Sequence, residues 1–305
     1  MSPIIKIKNI TKNYASKVAN SDLTFDIFPQ QITAIVGHNG AGKTTLLNQI
    51  NGLLKINQGM ITVDNIDVQK YPGRVRQLIS SMPQFQAPLK GVTMQEAVSC
   101  IGLIRGLSPK VVSERCDEIF KYLDIEDWKH EKGDTLSGGL QRLTSFAMTV
   151  VDRAPVIVLD EPTNDVDPIR RKLMWEYLRK LANEGSAIII VSHNLLEVER
   201  YADRYILLNK GKLMLDMSLS GKQIDIQHTL RVFGILPQDK NRLANFGEAK
   251  YKSQENLLSL SLKNEHIFAA LHVVLRLLDE NKAVAYELQT KSLLDEYEEV
   301  LNECI

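Results

Sequence analysis

Short apolar runs recur along the first two-thirds of the chain and predict β-strands. Residues 4–8 and 23–28 alternate apolar with polar positions, as half-buried strands do. Residues 30–37, 156–160 and 187–191 are runs rich in Val and Ile, which suit parallel strands covered on both faces. Because helical patterns lie between these runs, we predict an α/β core.

The middle of the chain, from about 92 to 130, has the apolar spacing of helices. Residues 111–125 place apolar side chains on one helix face. A Ser-Pro pair at 108–109 lies just ahead of them, and this pair is a helix start signal. We therefore expect helices to dominate this region.

The pattern changes after residue 218 and predicts a small α+β domain. We expect strands at 228–234, 256–263 and 283–290, an amphipathic helix at 265–282 and a closing helix at 292–301. The stretch 216–226 is the best junction between the two parts. We therefore expect one domain over 1–216 and a second over 217–305.

The composition argues against several classes of protein. The 305 residues contain 37 Lys and Arg against 37 Asp and Glu, so the chain has no basic excess for binding nucleic acid. Three cysteines without CxxC spacing argue against a disulfide framework or a thiolate zinc site and favour the reducing cytosol. No stretch approaches the ~18 apolar residues of a membrane-spanning helix. His272 and Arg276 interrupt the most apolar segment.

A glycine-rich loop at 37–44 carries the strongest chemical signal. Its sequence, GHNGAGKT, fits GxxxxGK[ST] and lies directly after an apolar strand and before a helical run. The glycines let backbone N–H groups and the helix N-terminus point at phosphate oxygens. Lys43 is expected to reach the β- and γ-phosphates, and the Thr44 hydroxyl to ligate Mg²⁺. We predict that the chain binds a nucleoside triphosphate.

Two acids, Asp160 and Glu161, follow four consecutive apolar residues. This position places them at the carboxyl end of a core strand, beside the phosphate-binding loop. There Asp160 can hold Mg²⁺ and Glu161 can polarise an attacking water. The alternative is that both acids are solvated turn residues.

Further motifs in a fixed order identify a family. The sequence LSGG lies at 136–139, between the phosphate-binding loop and Asp160. With it, residues 4–214 resemble the ATP-binding subunit of an ABC transporter. Four more positions match that family: Tyr14 as the aromatic that stacks on adenine, Gln84 as the Q-loop glutamine, Asp167 as the end of the D-loop, and His193 as the switch histidine.

The resemblance implies a P-loop NTPase fold of the ABC ATPase type. This fold has a mostly parallel sheet core, an antiparallel N-terminal β subdomain and a helical subdomain, here at about 85–150, and the small α+β domain would follow it. The resemblance also implies head-to-tail pairing, as a homodimer or with another ATP-binding subunit. In such a pair Ser137, Gly138 and Gly139 of one subunit would contact the ATP held by the other.

The resemblance also assigns roles around ATP and Mg²⁺. Thr44, Gln84 and Asp160 would arrange the metal, and Glu161 and His193 would be catalytic, with Glu161 activating water and His193 contacting the γ-phosphate. The expected nucleotide-binding residues are Tyr14, Gly37, His38, Asn39, Gly40, Ala41, Gly42, Lys43, Thr44, Thr45, Gln84, Ser137, Gly138, Gly139 and Asp167.

The implied partner is a membrane permease. The loop at about 85–105 would receive a helix of that permease at the cytoplasmic face of the cell membrane, and no nucleic acid partner is expected.

Two motifs depart from the family pattern. Leu140 stands where a glutamine is usual, followed by Gln141 and Arg142, and Asp165-Val166 replaces the commoner Gly-Leu. The phosphate-binding loop and Glu161 are unchanged, so we expect hydrolysis.

The tail favours an exporter. Its acidic closing segment at 292–301 is similar to the tails of drug, antibiotic and sodium exporter ATPases. An importer subunit is the alternative. A non-transport ABC ATPase of the translation or repair type would carry two such domains or a long coiled coil, and the sequence has neither. A regulator that binds ATP without hydrolysis is disfavoured by Glu161.

Overall fold

The computed structural model describes residues 2–15, 17–85, 89–219, 228–253 and 255–290. The chain forms two compact units, Met1–Leu219 and Ser220–Ile305, which we call the N-terminal and C-terminal units. The expected junction at 216–226 lies largely outside the described residues, so the boundary between domains stays a prediction.

A six-stranded sheet forms the centre of the N-terminal unit. Its strands, in spatial order, are β10 (Lys212–Ser218), β9 (Arg204–Asn209), β3 (Ile32–Val36), β8 (Ala187–Val191), β7 (Val156–Asp160) and β6 (Ile79–Met82). All neighbours pair in parallel except β10, which is antiparallel to β9. Every residue of β3, β7 and β8 is buried, which explains why their sequences lack polar alternation. The predicted, mostly parallel core is confirmed.

A second sheet in this unit is antiparallel, as predicted. Its strands, in spatial order, are β2 (Lys17–Ile27), β1 (Ile5–Tyr14), β4 (Gln58–Val63) and β5 (Ile66–Asp67). Ile5 and Ile7 are fully buried, which accounts for the alternation at the start of β1. The strand runs beyond its predicted end at residue 8, because its pairing with β2 continues as far as Tyr14.

The helices of the N-terminal unit connect these strands. They are α1 (Lys43–Ile50), α2 (Pro72–Leu78), α3 (Met94–Ile104), α4 (Pro109–Tyr122), α5 (Gly138–Val150), α6 (Pro168–Asn183) and α7 (Leu195–Tyr201). A capping box between Thr93 and Glu96 starts α3, and Ser108 caps α4. Helices α3, α4 and α5 pack on one another and form the helical subdomain.

The C-terminal unit contains an antiparallel sheet and a helix. In spatial order its strands are β12 (Gly247–Lys252), β13 (Leu257–Leu262), β11 (His228–Phe233) and β14 (Ala285–Thr290), and its helix is α8 (Ile267–Asp279). Leu258, Leu260 and Leu262 share a buried core with Ala270 and Val274 of α8. The sequence did not predict the polar edge strand β12. The closing helix expected at 292–301 lies outside the described residues.

No helix among the described residues of either unit is long and apolar enough to cross a bilayer.

Replacing Leu260 with alanine should destabilise the C-terminal unit. Because Leu260 is fully buried, the expected loss is about 2–5 kcal/mol in the free energy of unfolding, which urea denaturation measures. Leu275→Ala on α8 is the matched control, since Leu275 is 47% exposed, and it should change stability by about 0.5 kcal/mol or less. Equal losses from the two variants would show that this core is wrongly assigned.

Candidate functional site

The loop between β3 and α1 is packed tightly against two neighbouring strands. Gly42 has a φ of +100°, and a Cβ added to it would lie 2.3 Å from the carbonyl oxygen of Ala19. A Cβ on Gly37 would lie 2.3 Å from the carbonyl oxygen of Leu208. The Asn20 amide also donates to the Gly42 carbonyl at 3.2 Å. These contacts hold the curve of the loop and require glycine at both positions.

Lys43, the first residue of α1, folds back into this loop. Its Nζ donates to the carbonyl oxygens of Gly37 at 2.6 Å and His38 at 3.1 Å, and the residue is nearly buried. Burial lowers the pKa of Lys43, while the charges of Glu161 and Asp160 oppose that shift. The amine is a desolvated cation beside the loop, which suits it to bind phosphate.

Asp160 and Thr44 meet where β7 ends and α1 begins. The Thr44 hydroxyl donates to the Asp160 carboxylate at 3.2 Å. Burial raises the pKa of Asp160, with a further rise from Glu161, and the hydrogen bond from Thr44 and the charge of Lys43 oppose it.

This pair of oxygen ligands fits Mg²⁺. That ion binds through one or two carboxylates, waters and substrate phosphates, without a dedicated protein cage. In keeping with this, the described part of the chain holds no cluster of three or more His, Cys, Asp or Glu side chains suited to a metal. A hydroxyl and one carboxylate beside a phosphate-binding loop therefore match a shared Mg²⁺ and phosphate site.

Glu161 lies directly after β7 and contacts His193, which follows β8. Its backbone N–H donates to the Val191 carbonyl at 2.9 Å, and its φ is +51°. Nδ1 of His193 lies 2.8 Å from a carboxylate oxygen of Glu161. The carboxylate is almost buried, whereas the His193 side chain is 68% exposed. The pair can therefore hold a water at the edge of the sheet and accept its proton.

A cavity of about 270 Å³ lies beside Lys43, Asp160 and Glu161, and His193 is outside its lining. Its lining includes ten of the predicted site residues: Tyr14, Asn39, Gly40, Gly42, Lys43, Thr44, Thr45, Gln84, Asp160 and Glu161. Ala19 and Val191 complete the lining. The structure thus brings the predicted adenine-stacking, phosphate, metal and water-activating residues around one space.

Three residues of the phosphate-binding loop lie outside that lining. Gly37 and Ala41 are buried in the turn itself. The imidazole of His38 faces the side-chain oxygen of Asn209 and the carbonyl oxygen of Asn39, each at 2.7 Å. The ring of His38 is therefore engaged with the protein.

The glycines at 138–139 also lie outside the cavity lining. Ser137 caps α5, because its hydroxyl accepts the Leu140 N–H at 3.3 Å. A Cβ added to Gly138 would meet nothing within 4 Å, whereas one on Gly139 would lie 2.8 Å from the Asp165 carbonyl oxygen. The motif therefore forms an open helix start that rests on the loop around Asp165.

Asp167 is also outside the cavity lining, and it caps α6. Its carboxylate accepts the N–H groups of Ile169 and Arg170 at 3.1 and 3.0 Å and pairs with the Arg170 guanidinium at 3.2 Å. Burial raises the pKa of Asp167, but the hydrogen bonds and charge of Arg170 outweigh it and lower the pKa overall. Its contact with a nucleotide stays a prediction.

The sequence reasoning missed a buried carboxylate, Glu197 on α7. It accepts hydrogen bonds of 2.9–3.0 Å from Thr163, Arg171, Trp175 and Asn194. Thr163 belongs to the loop after Glu161, and Asn194 directly follows His193. Glu197 therefore ties together the two loops that carry the Glu161–His193 contact.

Comparison with known proteins identifies the class. Residues 20–164 match the family described as "ABC transporter". The Bacillus subtilis (strain 168) protein YhcH, an ABC transporter ATP-binding protein, is 29% identical over 309 residues, which cover 99% of this chain and 97% of YhcH. The human phospholipid-transporting ATPase ABCA7 is 33% identical over 215 residues, or 70% of this chain, but this chain spans only 10% of ABCA7.

Solved structures agree with these relatives. The bacterial ABC transporter cassette MJ0796, in its dimeric form, matches with a TM-score of 0.65 and 28% identity over 72% of this chain and 100% of that one. The same cassette has been solved as a dimer in a post-hydrolysis state bound to ADP and Pi. The present chain contains the ATP-binding domain of an ABC transporter. It is an ABC ATPase subunit, and its predicted P-loop fold of the ABC type is confirmed.

The Gly42→Ala variant tests the geometry of the loop. The new Cβ would collide with the Ala19 carbonyl at a φ of +100°, so the loop must move, and ATP affinity should fall by about tenfold or more, equivalent to at least about 1.4 kcal/mol. Calorimetric titration with ATP measures the change. Gly73→Ala is the control, because its Cβ would meet nothing within 4 Å. Wild-type affinity in Gly42→Ala would contradict the assigned loop.

Proposed function

We propose that this chain hydrolyses ATP to drive a separate membrane permease, and that the complex exports a drug, antibiotic, peptide or lipid-like compound. The observation that carries the proposal is the Glu161–His193 contact of 2.8 Å beside the loop of Lys43. A buried carboxylate oriented by an imidazole, next to a phosphate-binding loop, is what hydrolysis of a phosphoanhydride needs.

Each group around the cavity has a part in this proposal. Lys43 and the backbone N–H groups of the loop bind the β- and γ-phosphates. Bound Mg²⁺ would neutralise charge on the phosphates, and Thr44, Asp160 and Gln84, which line the same cavity, would hold it. Glu161 accepts the proton of the attacking water, while His193 orients that carboxylate and faces the γ-phosphate.

The position of Ser137 supports a head-to-tail dimer. Within one copy, this residue and its two glycines do not line the cavity that contains Lys43 and Glu161. The open N-terminus of α5 would instead meet the γ-phosphate held by a second copy or a similar subunit. The solved structure of MJ0796 as a dimer supports dimerisation of this chain.

A groove beside Gln84 supports docking of the permease. It has a volume of about 220 Å³ and is lined by Ile79, Ser80, Ser81, Pro83, Phe85, Ile101, Arg105, Ser145, Met148 and Thr149. Phe85 is 83% exposed there. A permease helix in this groove would cover Phe85 one residue from Gln84, so that movement of the helix and occupancy of the ATP site are coupled. In this proposal the chain acts at the cytoplasmic face of the membrane.

The direction of transport rests on similarity alone. ABCA7, a phospholipid-transporting ATPase, supports a lipid-like compound among the classes of cargo. The resemblance of the C-terminal tail to those of exporter ATPases supports outward transport. An importer subunit remains the alternative.

Glu161→Gln tests the assignment of the general base. Hydrolysis by the purified complex should fall by about 10²–10⁴-fold, because the amide cannot take the proton of water. ATP binding should persist and an ATP-bound dimer should accumulate, which size-exclusion chromatography detects. Glu184→Gln is the control, since Glu184 forms a surface pair with Arg153. Hydrolysis at the wild-type rate in Glu161→Gln would refute the assignment.

Phe85→Ala tests docking of the permease in the groove. The loss of this side chain should abolish stimulation of the ATPase by the permease and its cargo, while basal hydrolysis by the isolated chain is unchanged. Phe268→Ala is the matched control, since Phe268 is 87% exposed in the C-terminal unit. Unchanged stimulation in Phe85→Ala would exclude the groove as the docking site.

Inverted vesicles test the direction of transport. The stimulating compound should accumulate in their lumen if the complex is an exporter, and loss of cargo from the lumen would indicate import.

A further inference from the structure

Arg142 on α5 is a buried cation with an unusual set of partners. The residue is 2% exposed. Its guanidinium donates hydrogen bonds of 2.5–3.3 Å to five backbone carbonyl oxygens, those of Pro83, Gln84, Asp160, Glu161 and Pro162. These carbonyls lie at the ends of two strands: Pro83 and Gln84 follow β6, and Asp160 ends β7, with Glu161 and Pro162 directly after it. The Arg142 side chain thus joins the loop of Gln84 to the loop of Glu161.

The hydrogen bonds of the Arg142 guanidinium to described residues all go to backbone carbonyl oxygens, and none goes to a carboxylate. None of the ion pairs within the described residues includes Arg142. Burial lowers its pKa, and the more distant charges of Asp160, Asp165 and Glu161 oppose that shift. A buried charge is costly, and an apolar side chain of similar volume often stabilises a fold at least as well. The arrangement therefore points to a role other than stability.

The carbonyls that Arg142 binds flank the predicted base. Two of them, the carbonyls of Asp160 and Glu161, belong to the peptide units on either side of Glu161, and a third is the carbonyl of the next residue, Pro162. Glu161 has a φ of +51°, a conformation that persists at a non-glycine residue only where the surroundings enforce it. The planar fork of a guanidinium can hold several carbonyls at fixed angles, which a lysine ammonium cannot. Arg142 does not itself line the cavity.

We propose that Arg142 is a positioning residue for ATP hydrolysis. It holds the turn of Glu161 and the loop of Gln84 in one rigid arrangement. The side chains of Glu161 and Gln84 therefore keep a fixed position relative to the phosphate-binding loop. Because Arg142 lies on the first turns of α5, that arrangement is also tied to the helix that Ser137 caps. This inference rests on the proposed function, since it gives Arg142 a role in the reaction assigned to Glu161.

The Arg142→Lys variant keeps the positive charge and removes the planar guanidinium that donates to several carbonyls at once. The expected result is a fall in kcat of roughly 10²-fold, the effect of a small misplacement of a catalytic group, with ATP affinity unchanged within about twofold. Steady-state kinetics of the complex and calorimetric titration with ATP measure the two quantities. Arg204→Lys is the matched control. The Arg204 guanidinium, also in the N-terminal unit, donates to the backbone carbonyl of Asp26 and to the carboxylate of Asp216, and Arg204 does not line the cavity.

A double-mutant cycle separates positioning from simple loss of structure. Arg142→Lys is measured in the wild-type and in the Glu161→Gln backgrounds by single-turnover hydrolysis. If Arg142 acts through Glu161, its replacement should cost roughly 10²-fold in the first background and at most about fivefold in the second. A residue that only supports the fold would cost the same factor in both.

Several outcomes would overturn the inference. Equal losses in the two backgrounds, a fall in ATP affinity that matches the fall in kcat, or an equal loss in Arg204→Lys would each do so. If Arg142→Lys does not fold, Arg142→Gln is used; failure of both to fold while Arg204→Lys folds would show that Arg142 is a folding residue. Wild-type hydrolysis in Glu161→Gln alone would instead refute the proposed function, whatever Arg142 does.

Discussion

The site depends on the parallel order of four neighbouring strands, β3, β8, β7 and β6. Parallel strands end at the same edge of a sheet, so the loops that follow them emerge side by side. In sequence order these loops carry the phosphate-binding motif, Gln84, Glu161 and His193. A shift of β7 by one residue would turn its last side chains to the opposite face and separate the acids from the loop.

The second constraint is the burial of charge at this edge. Lys43, Asp160, Glu161 and Arg142 are each less than a tenth exposed. Burial lowers the pKa of the two cations and raises that of Asp160, while the nearby acids oppose the shift of each cation. The hydrogen bonds that the two cations donate to backbone carbonyls help to offset the cost of burying their charges. In the proposed function, a bound polyphosphate would add negative charge, which Lys43 and a shared Mg²⁺ would balance.

The sequence predicts those parts that repeat a local pattern. The runs of Val and Ile at 156–160 and 187–191 predict buried strands, and the glycines at 37–44 predict the phosphate-binding loop. Arg142 and Glu197 could not be assigned in this way, because their partners are brought together only by tertiary structure. In the sequence, Arg142 and Glu197 are simply polar residues on helices, with no motif that marks them. Exposed strands were equally hard to detect.

Strand β12 shows why. Its residues GEAKYK are at the sheet edge and mostly exposed, so packing imposes no apolar alternation on them. Ser137 shows a different limit: its hydroxyl caps α5 in the single chain, and its proposed role at ATP would need a second subunit.

We propose that the loop at 37–44 and the acids at the end of β7 form one ATP site, completed by Ser137 of a second subunit. The structure of the Glu161→Gln variant with ATP and Mg²⁺ would show whether they do. We expect a γ-phosphate within hydrogen-bond distance of Lys43 in one subunit and of Ser137 in the other, with the side chain at position 161 facing that phosphate. A γ-phosphate held away from position 161, or contacted by no second subunit, would contradict it.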